Sequence, residues 1–217
     1  MVRYAGSAAH DVVNRWPEVI ATPDTESVGR VQAWVVGPGL GTDENAAAAL
    51  RFALSSDLPV IVDADALTLL AAAPDLVAGR SAPTVLTPHA GEYKRLAGAD
   101  VGADRVGAAR TLAKTLGATV LLKGNVTVVV GPEATYLNPA GQSWAATAGS
   151  GDILSGVIGS LLAAGIPAAE AAAMAAFVHA RAAALAAADP GPHPAPTSAG
   201  GILAHLRAAI ASMNEKG

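Results

Sequence analysis

The sequence predicts an α/β fold, a mostly parallel β-sheet with helices on both faces, and three observations carry that prediction. Short β-branched runs alternate with longer alanine- and leucine-rich segments through the middle of the chain. Those runs are apolar throughout instead of alternating with polar residues, as strands buried on both faces must be. Each run also stops at glycine, proline or a charged residue, so the unusual chemistry collects in the loops that follow strands.

In chain order, residues 31–36 form the first such strand and run into Gly37-Pro-Gly-Leu-Gly41. Glu44–Ser55 is helical by composition. Residues 59–62 are the next strand, ending at Asp63, with a helix over 66–73. Thr84–Leu86 is a third strand, closed by Pro88. Helices over 91–97 and 103–116 follow, the second amphipathic with Arg105, Arg110 and Lys114 on its polar side. Thr119–Leu122 is a fourth strand, and Val126–Val130 with 135–137 reads as a hairpin around Gly131-Pro132. Residues 151–164, 168–187 and 202–212 are helices. The proline-rich stretch 189–196 is a stiff surface connector.

Composition narrows the function. The 217 residues suffice for one compact domain, and no cysteine is present to form disulfides or thiolate metal sites. A net charge of −4 without a basic run argues against nucleic acid as a partner. No window reaches the roughly 18 uninterrupted apolar residues of a membrane span. The start has no charged segment followed by an apolar one, so no secretion signal is visible. A cytoplasmic protein with no membrane partner is the expectation.

Ligands of parallel sheets sit beyond the carboxyl ends of the strands, which directs attention to five loops. Ala148-Gly-Ser-Gly-Asp152 opens the helix at 151–164. Small residues there admit a ligand to the backbone, and a helix N-terminus offers free N–H groups suited to phosphate. Asp152 beside a phosphate suits a group that accepts a proton from an attacking hydroxyl, or reads equally as an ordinary first-turn charge. Thr87-Pro-His-Ala-Gly-Glu92 places His89 and Glu92 after a strand, either for a ligand or metal-bound water, or as a strand end and helix start. Lys123-Gly-Asn-Val-Thr127 offers backbone N–H groups and an ammonium to a nucleotide, or is a plain turn. Asp63-Ala-Asp-Ala66 suits a site or a helix cap. Gly37-Pro-Gly-Leu-Gly41 is neither a dinucleotide fingerprint nor a P-loop. His179, on an alanine-rich helix, reads as a packed histidine, and His10, His193 and His205 show no partner spacing.

Taken together and in this order, Gly37-Pro-Gly-Leu-Gly41, Asp63-Ala-Asp-Ala-Leu67, Thr87-Pro-His-Ala-Gly-Glu92, Lys123-Gly-Asn-Val-Thr127 and Gly149-Ser-Gly-Asp-Ile-Leu-Ser-Gly156 resemble the ADP-dependent NAD(P)H-hydrate dehydratases. These belong to the ribokinase-like superfamily, a three-layer sandwich of helices around a mostly parallel sheet. The resemblance spans about 31–187. Sugar and vitamin kinases of the superfamily usually carry Asn where this sequence has His89.

The resemblance implies ADP as phosphoryl donor, Mg²⁺, and the hydrates NADHX or NADPHX as substrates. Asp152 is then the catalytic base, and Gly39, Gly41, His89 and Asp152 contact the hydrate. Lys123, Gly124, Asn125, Val126 and Thr127 contact the nucleotide together with Gly149, Ser150 and Gly151, while Glu92 reaches Mg²⁺ through water. The family also implies a homo-oligomer. Residues 2–5 resemble the second strand of such a domain and 16–19 the segment after its helix. On that basis 1–217 is expected to be one dehydratase domain lacking the family's first strand–helix unit, with an exposed sheet edge and reduced solubility. Two alternatives stay open: an ATP-dependent small-molecule kinase of the same superfamily, and a nucleotide-binding chain without catalysis.

Overall fold

The computed structural model describes residues 1–213, and four central strands of its main sheet stand where the apolar runs predict them. The chain opens with β1 (Arg3–Ala5), α1 (Ala9–Arg15) and β2 (Ile20–Thr22). β1 and β2 pair in parallel as a separate two-stranded sheet. Arg3 Nη1 donates to the Val28 carbonyl at 2.9 Å and ties this pair to the following loop. β2 escapes sequence reading because three residues carry no periodicity.

The six-stranded sheet has its strands in chain order: β3 (Trp34–Val36), β4 (Val60–Val62), β5 (Thr84–Leu86), β6 (Thr119–Leu122), β7 (Val126–Val130) and β8 (Thr135–Pro139). The β3 to β6 strands are parallel, whereas β7 and β8 run antiparallel as the expected hairpin. Because neighbouring side chains on a strand point to opposite faces, the sheet makes two cores. Val60, Val62, Leu86, Val120 and Leu122 pack against α2 (Glu44–Ser55), α3 (Ala64–Ala72), α4 (Ala90–Ala97) and α5 (Arg105–Leu116) through Leu50, Leu67, Tyr93 and Leu112. Ile61, Val85, Leu121 and Val129 face α6 (Ser150–Ala163) and α7 (Ala168–Ala188) through Leu154, Ile158, Leu162 and a row of alanines. Each fully buried Val or Leu contributes about 1.5–3 kcal/mol of apolar burial. α8 (Ala199–Ala211) then packs on α7 around Val178, Ala182 and Ile202. The result is the three-layer arrangement.

Several boundaries differ from the sequence expectation. The strand expected over 31–36 shortens to three residues at the sheet edge, where Val35 is 40% exposed. Behind it Gly159 lets α6 approach the strand: a Cβ there would lie 2.5 Å from Val35 Cγ2 and would force that side chain to shift. The α8 helix starts at Ala199 rather than 202, because the Ser198 hydroxyl accepts the Gly201 N–H and caps it. By length and composition α7 could cross a membrane, yet its stripe from Ala171 to Ala187 is buried on the sheet and α8, so apolarity here serves the core.

Candidate active site

Four loops converge at the carboxyl end of the parallel strands. The floor is built on Asp63, which leaves β4 in an extended conformation and is 1% exposed. The next residue, Ala64, sits at φ +48°, a left-handed conformation uncommon outside glycine. Asp63 makes no helix-capping bond. Its Oδ1 instead accepts from Lys123 Nζ at 2.8 Å and its Oδ2 from Ser155 Oγ at 2.7 Å, joining β4, β6 and α6. Gly37 closes in from β3: a Cβ at its φ of +128° would stand 1.7 Å from the Asp63 carbonyl oxygen, a contact only glycine permits. From the same glycine loop the Gly41 N–H donates to Asp65 Oδ2 at 2.8 Å.

β5 delivers His89 and Glu92 as the cap of α4. His89 Nδ1 accepts from the N–H groups of Gly91 (2.9 Å) and Glu92 (3.3 Å), while Glu92 Oε2 accepts from the His89 N–H at 2.8 Å. This reciprocal box satisfies helix-end donors that would otherwise stay unpaired. It also fixes the tautomer, since an Nδ1 that accepts leaves the ring proton on Nε2. Buried Glu92 then lies 3.6 Å from Lys123 Nζ and 3.5 Å from His89 Nε2.

Above this floor stands the N-terminus of α6. Gly149 takes φ +79° as its N-cap, and the first turn is Ser150, Gly151 and Asp152. A Cβ on Gly151 would lie 3.4 Å from Lys123 Nζ and 3.8 Å from Asp63 Oδ2, so the turn rests on the ion pair. Asp152 is exposed at the cleft. Loss of water along its protein-facing flank pushes its carboxyl above the usual 3.8; the Asp63 carboxylate adds to this, Lys123 opposes it, and Asp65 contributes in the same direction as Asp63. Beside the turn, Gln142, Trp144, Thr147, Pro196 and Thr197 line a cavity of about 460 Å³.

The structure therefore gathers His89, Glu92, Lys123, Gly151 and the loop before α6 around Asp63. Gly39 and Gly41 are exposed at the rim, at φ +63° and +79°, with open space about their α-carbons. The 123–127 segment points outward in its second half. Gly124 lies under Arg105, whose Nη2 donates to the Lys123 carbonyl at 3.1 Å. The Asn125 carbonyl accepts from the Ala140 N–H at 3.0 Å, Val126 is 39% exposed at the start of β7, and Thr127 Oγ1 donates to the Gly124 carbonyl at 3.3 Å. The Lys123 ammonium itself turns inward to the carboxylates of Asp63 and Glu92. Sequence reasoning missed Ser155 and the link between His179 and Ser150. A hydroxyl inside the apolar Ile-Leu-Ser-Gly run was the available signal for the first.

A parallel sheet with a glycine-bounded helix N-terminus, a first-turn aspartate and a polar floor at its strand ends defines a ribokinase-like α/β protein. Solved structures agree on that fold. A ribokinase-like protein of Enterococcus faecalis superposes with a TM-score of 0.78 at 23% identity, covering 97% of this chain and 76% of that one. The ADP/ATP-dependent NAD(P)H-hydrate dehydratase of Bacillus subtilis, co-crystallized with ATP/Mg²⁺, superposes at 0.81 with 28% identity, covering 96% and 76%. The family model for NAD(P)H-hydrate dehydratase matches residues 1–205, and the chain belongs to that family. Among its relatives, the bifunctional NAD(P)H-hydrate repair enzyme of Mycobacterium tuberculosis H37Rv is 72% identical over 214 residues, which are 98% of this chain and 45% of that protein. The ADP-dependent (S)-NAD(P)H-hydrate dehydratase of Neisseria meningitidis is 43% identical over 178 residues, 77% of this chain and 60% of that one. The chain thus spans about half the length of the mycobacterial relatives it matches.

Proposed function

We propose that this chain carries out the ADP-dependent dehydration of the (6S)-hydrates of NADH and NADPH, giving NAD(P)H, AMP and phosphate. One observation supports it above the others: a glycine-flanked helix N-terminus suited to phosphate begins with a carboxylate whose proton affinity is raised. In this proposal Asp152 takes the proton of the C6 hydroxyl as that oxygen attacks the β-phosphorus of ADP. The bond from that phosphorus to the α–β bridging oxygen breaks and AMP leaves. The C6–O bond of the phosphorylated hydrate then breaks with loss of the C5 proton, the ring nitrogen supplying electrons, and phosphate departs. Phosphate is a far better leaving group than hydroxide, which explains phosphorylation in a dehydration.

Gly149 and Gly151 hold the nucleotide phosphates with the helix dipole behind them, whereas Ser150, expected to join them, turns its side chain to α7 and gives its N–H to the Thr147 carbonyl; Lys123, Gly124, Asn125, Val126 and Thr127 line the nucleotide. Gly39 and Gly41 admit the hydrate at the rim, where His89 meets it through Nε2–H, its Nδ1 being committed to the helix cap. Among the described residues no group of three metal-ligating side chains is present. The donor set therefore suits a Mg²⁺ carried on the phosphates, reached by Glu92 through water, and such an ion would neutralise phosphate charge. A cytoplasmic homo-oligomer belongs to the same proposal, with Met174, Phe177, Leu203 and Ile210 supplying exposed apolar surface on α7 and α8.

The test is to mix the purified chain with hydrated NADH and ADP and follow the return of reduced-nicotinamide absorbance, AMP and phosphate. Stoichiometric AMP supports the proposal. Transfer from ATP to a product that keeps its phosphate would replace it with a kinase.

A further inference from the structure

Ser150, the one residue with a side chain between Gly149 and Gly151, does not face the cleft. It is 3% exposed and turns toward α7, where His179 is 7% exposed. His179 Nε2 stands 2.9 Å from Ser150 Oγ and 3.0 Å from the Ser150 carbonyl oxygen. A carbonyl oxygen only accepts, so Nε2 must carry the proton and share it between the two oxygens. Packing alone asks for no polar atom here, because the rest of α7's buried stripe is alanine and valine. Burial also holds the imidazole below its usual 6.5, which favours this neutral form.

The turn needs such an anchor. Gly149 and Gly151 leave its backbone with more conformational freedom than any other residues would. The Ser150 N–H is fixed by the Thr147 carbonyl at 3.2 Å, and α8 backs Gly149 through Ala199. The carbonyl on the opposite side of the peptide chain is held from the core by His179. We infer that His179 is the positioning residue of the phosphate-cradling turn, its Nε2–H clamping Ser150 so that the amides of Gly149 and Gly151, on either side of the already bonded Ser150 N–H, keep their place at the cleft. Its effect on turnover rests on the dehydratase proposal; its effect on nucleotide binding does not.

The experiment compares His179→Leu, His179→Gln and His179→Asn in the full chain, measuring the Kd for ADP by calorimetry, the KM values for ADP and hydrate, kcat, and Tm. Leu is expected to raise the Kd and KM for ADP about tenfold, the equivalent of one lost hydrogen bond, with the KM for hydrate unchanged. Gln, whose Nε2 reaches the place of the imidazole Nε2, is expected to restore ADP binding to within about threefold, and Asn, which stops short, to resemble Leu. An ADP affinity that stays within about twofold in the Leu variant while Tm falls would mean plain packing and would overturn the inference. If the Leu variant fails to fold, the Gln and Asn pair decides, and equal ADP affinities overturn it. A wild-type chain that binds ADP without dehydrating the hydrate defeats the dehydratase proposal and leaves the Kd series to judge His179. A wild-type chain that binds no ADP overturns both.

Discussion

Replacing Lys123 by Met tests the floor of the site directly. Asp63 is 1% exposed and has two side-chain partners, Lys123 Nζ at 2.8 Å and Ser155 Oγ at 2.7 Å. At 2.8 Å and an effective dielectric near 20, the attraction is about 6 kcal/mol, much of it offset by the desolvation of both charges. Removing only the cation leaves that desolvation in place and sets Asp63 and Glu92 near each other without their shared ammonium. The expected loss is about 3–5 kcal/mol. For a chain of this size each kcal/mol moves Tm by about 2–4 °C, so Tm should fall by about 6–20 °C. Thermal unfolding of Lys123→Met, Asp63→Asn and the double variant forms a complete cycle, and the double variant should recover most of the loss. Because Asp63 is buried and Lys123 only partly exposed, most of the coupling should persist in high salt. A Lys123→Met loss below about 1 kcal/mol, or one that disappears with added salt, is the behaviour of an exposed pair and would refute the argument.

The remaining predictions concern the residues above the floor. Asp152→Asn should lower turnover by about two to four orders of magnitude while ADP still binds; retained turnover removes it as the base. Since its folded pKa is raised, the ionised carboxylate disfavours the native state: the stability it gives is complete below the unfolded value of 3.8 and is lost as pH rises through the folded pKa. Asp152→Asn should therefore melt higher than wild type at neutral pH, and a lower Tm there contradicts the sign. For the same reason the acidic limb of kcat/KM should lie above 3.8, and Lys123→Met, measured on its folded fraction, should move it higher still. His89→Ala should cost about 1 kcal/mol through the lost α4 cap and raise the KM for hydrate more than that for ADP. The reverse order of KM effects would take His89 out of the hydrate site.

The strand ends were legible in the sequence because glycine, proline and charged residues interrupt apolar runs, and those interruptions are where the loops converge. What those residues touch was not. Lys123 finds Asp63 across 60 positions and Ser155 finds Asp63 across 92, separations over which no periodicity operates. His89 gave no cap signal, because imidazole is absent from the short list of Ser, Thr, Asp and Asn that marks helix starts, although Glu92 three residues on completes the box. His179 looked like packing for a sound reason: all but one of its buried neighbours on α7 are alanine. Its partner lies on another helix, at the residue whose side chain turns away from the cleft.

Charge balance connects these local facts to the chemistry. Asp63, Asp65, Glu92 and Asp152 gather near Lys123, and that cation is not free to meet a phosphate alone, since Asp63 and Glu92 engage it. A polyanionic nucleotide would gain little from side-chain charge at such a site. In the proposed site the α6 N-terminus adds attraction of its own, since aligned peptide dipoles amount to roughly half a positive charge there and the first amides lack helical partners. On that proposal the conformation of the turn from Gly149 to Gly151 bears directly on phosphate binding, and it is the reason an anchor on Ser150 carries weight. Desolvation first, and then the neighbouring carboxylates of Asp63 and Asp65, keep the proton affinity of Asp152 above that of an ordinary aspartate. A base that must draw a proton from an alcohol as its oxygen bonds to phosphorus gains from that elevation. Thus, on the proposed function, the negative charge that would weaken phosphate binding at the floor would also strengthen Asp152 as a base above it, and the neutral amides of one helix end would allow both in the same few ångströms.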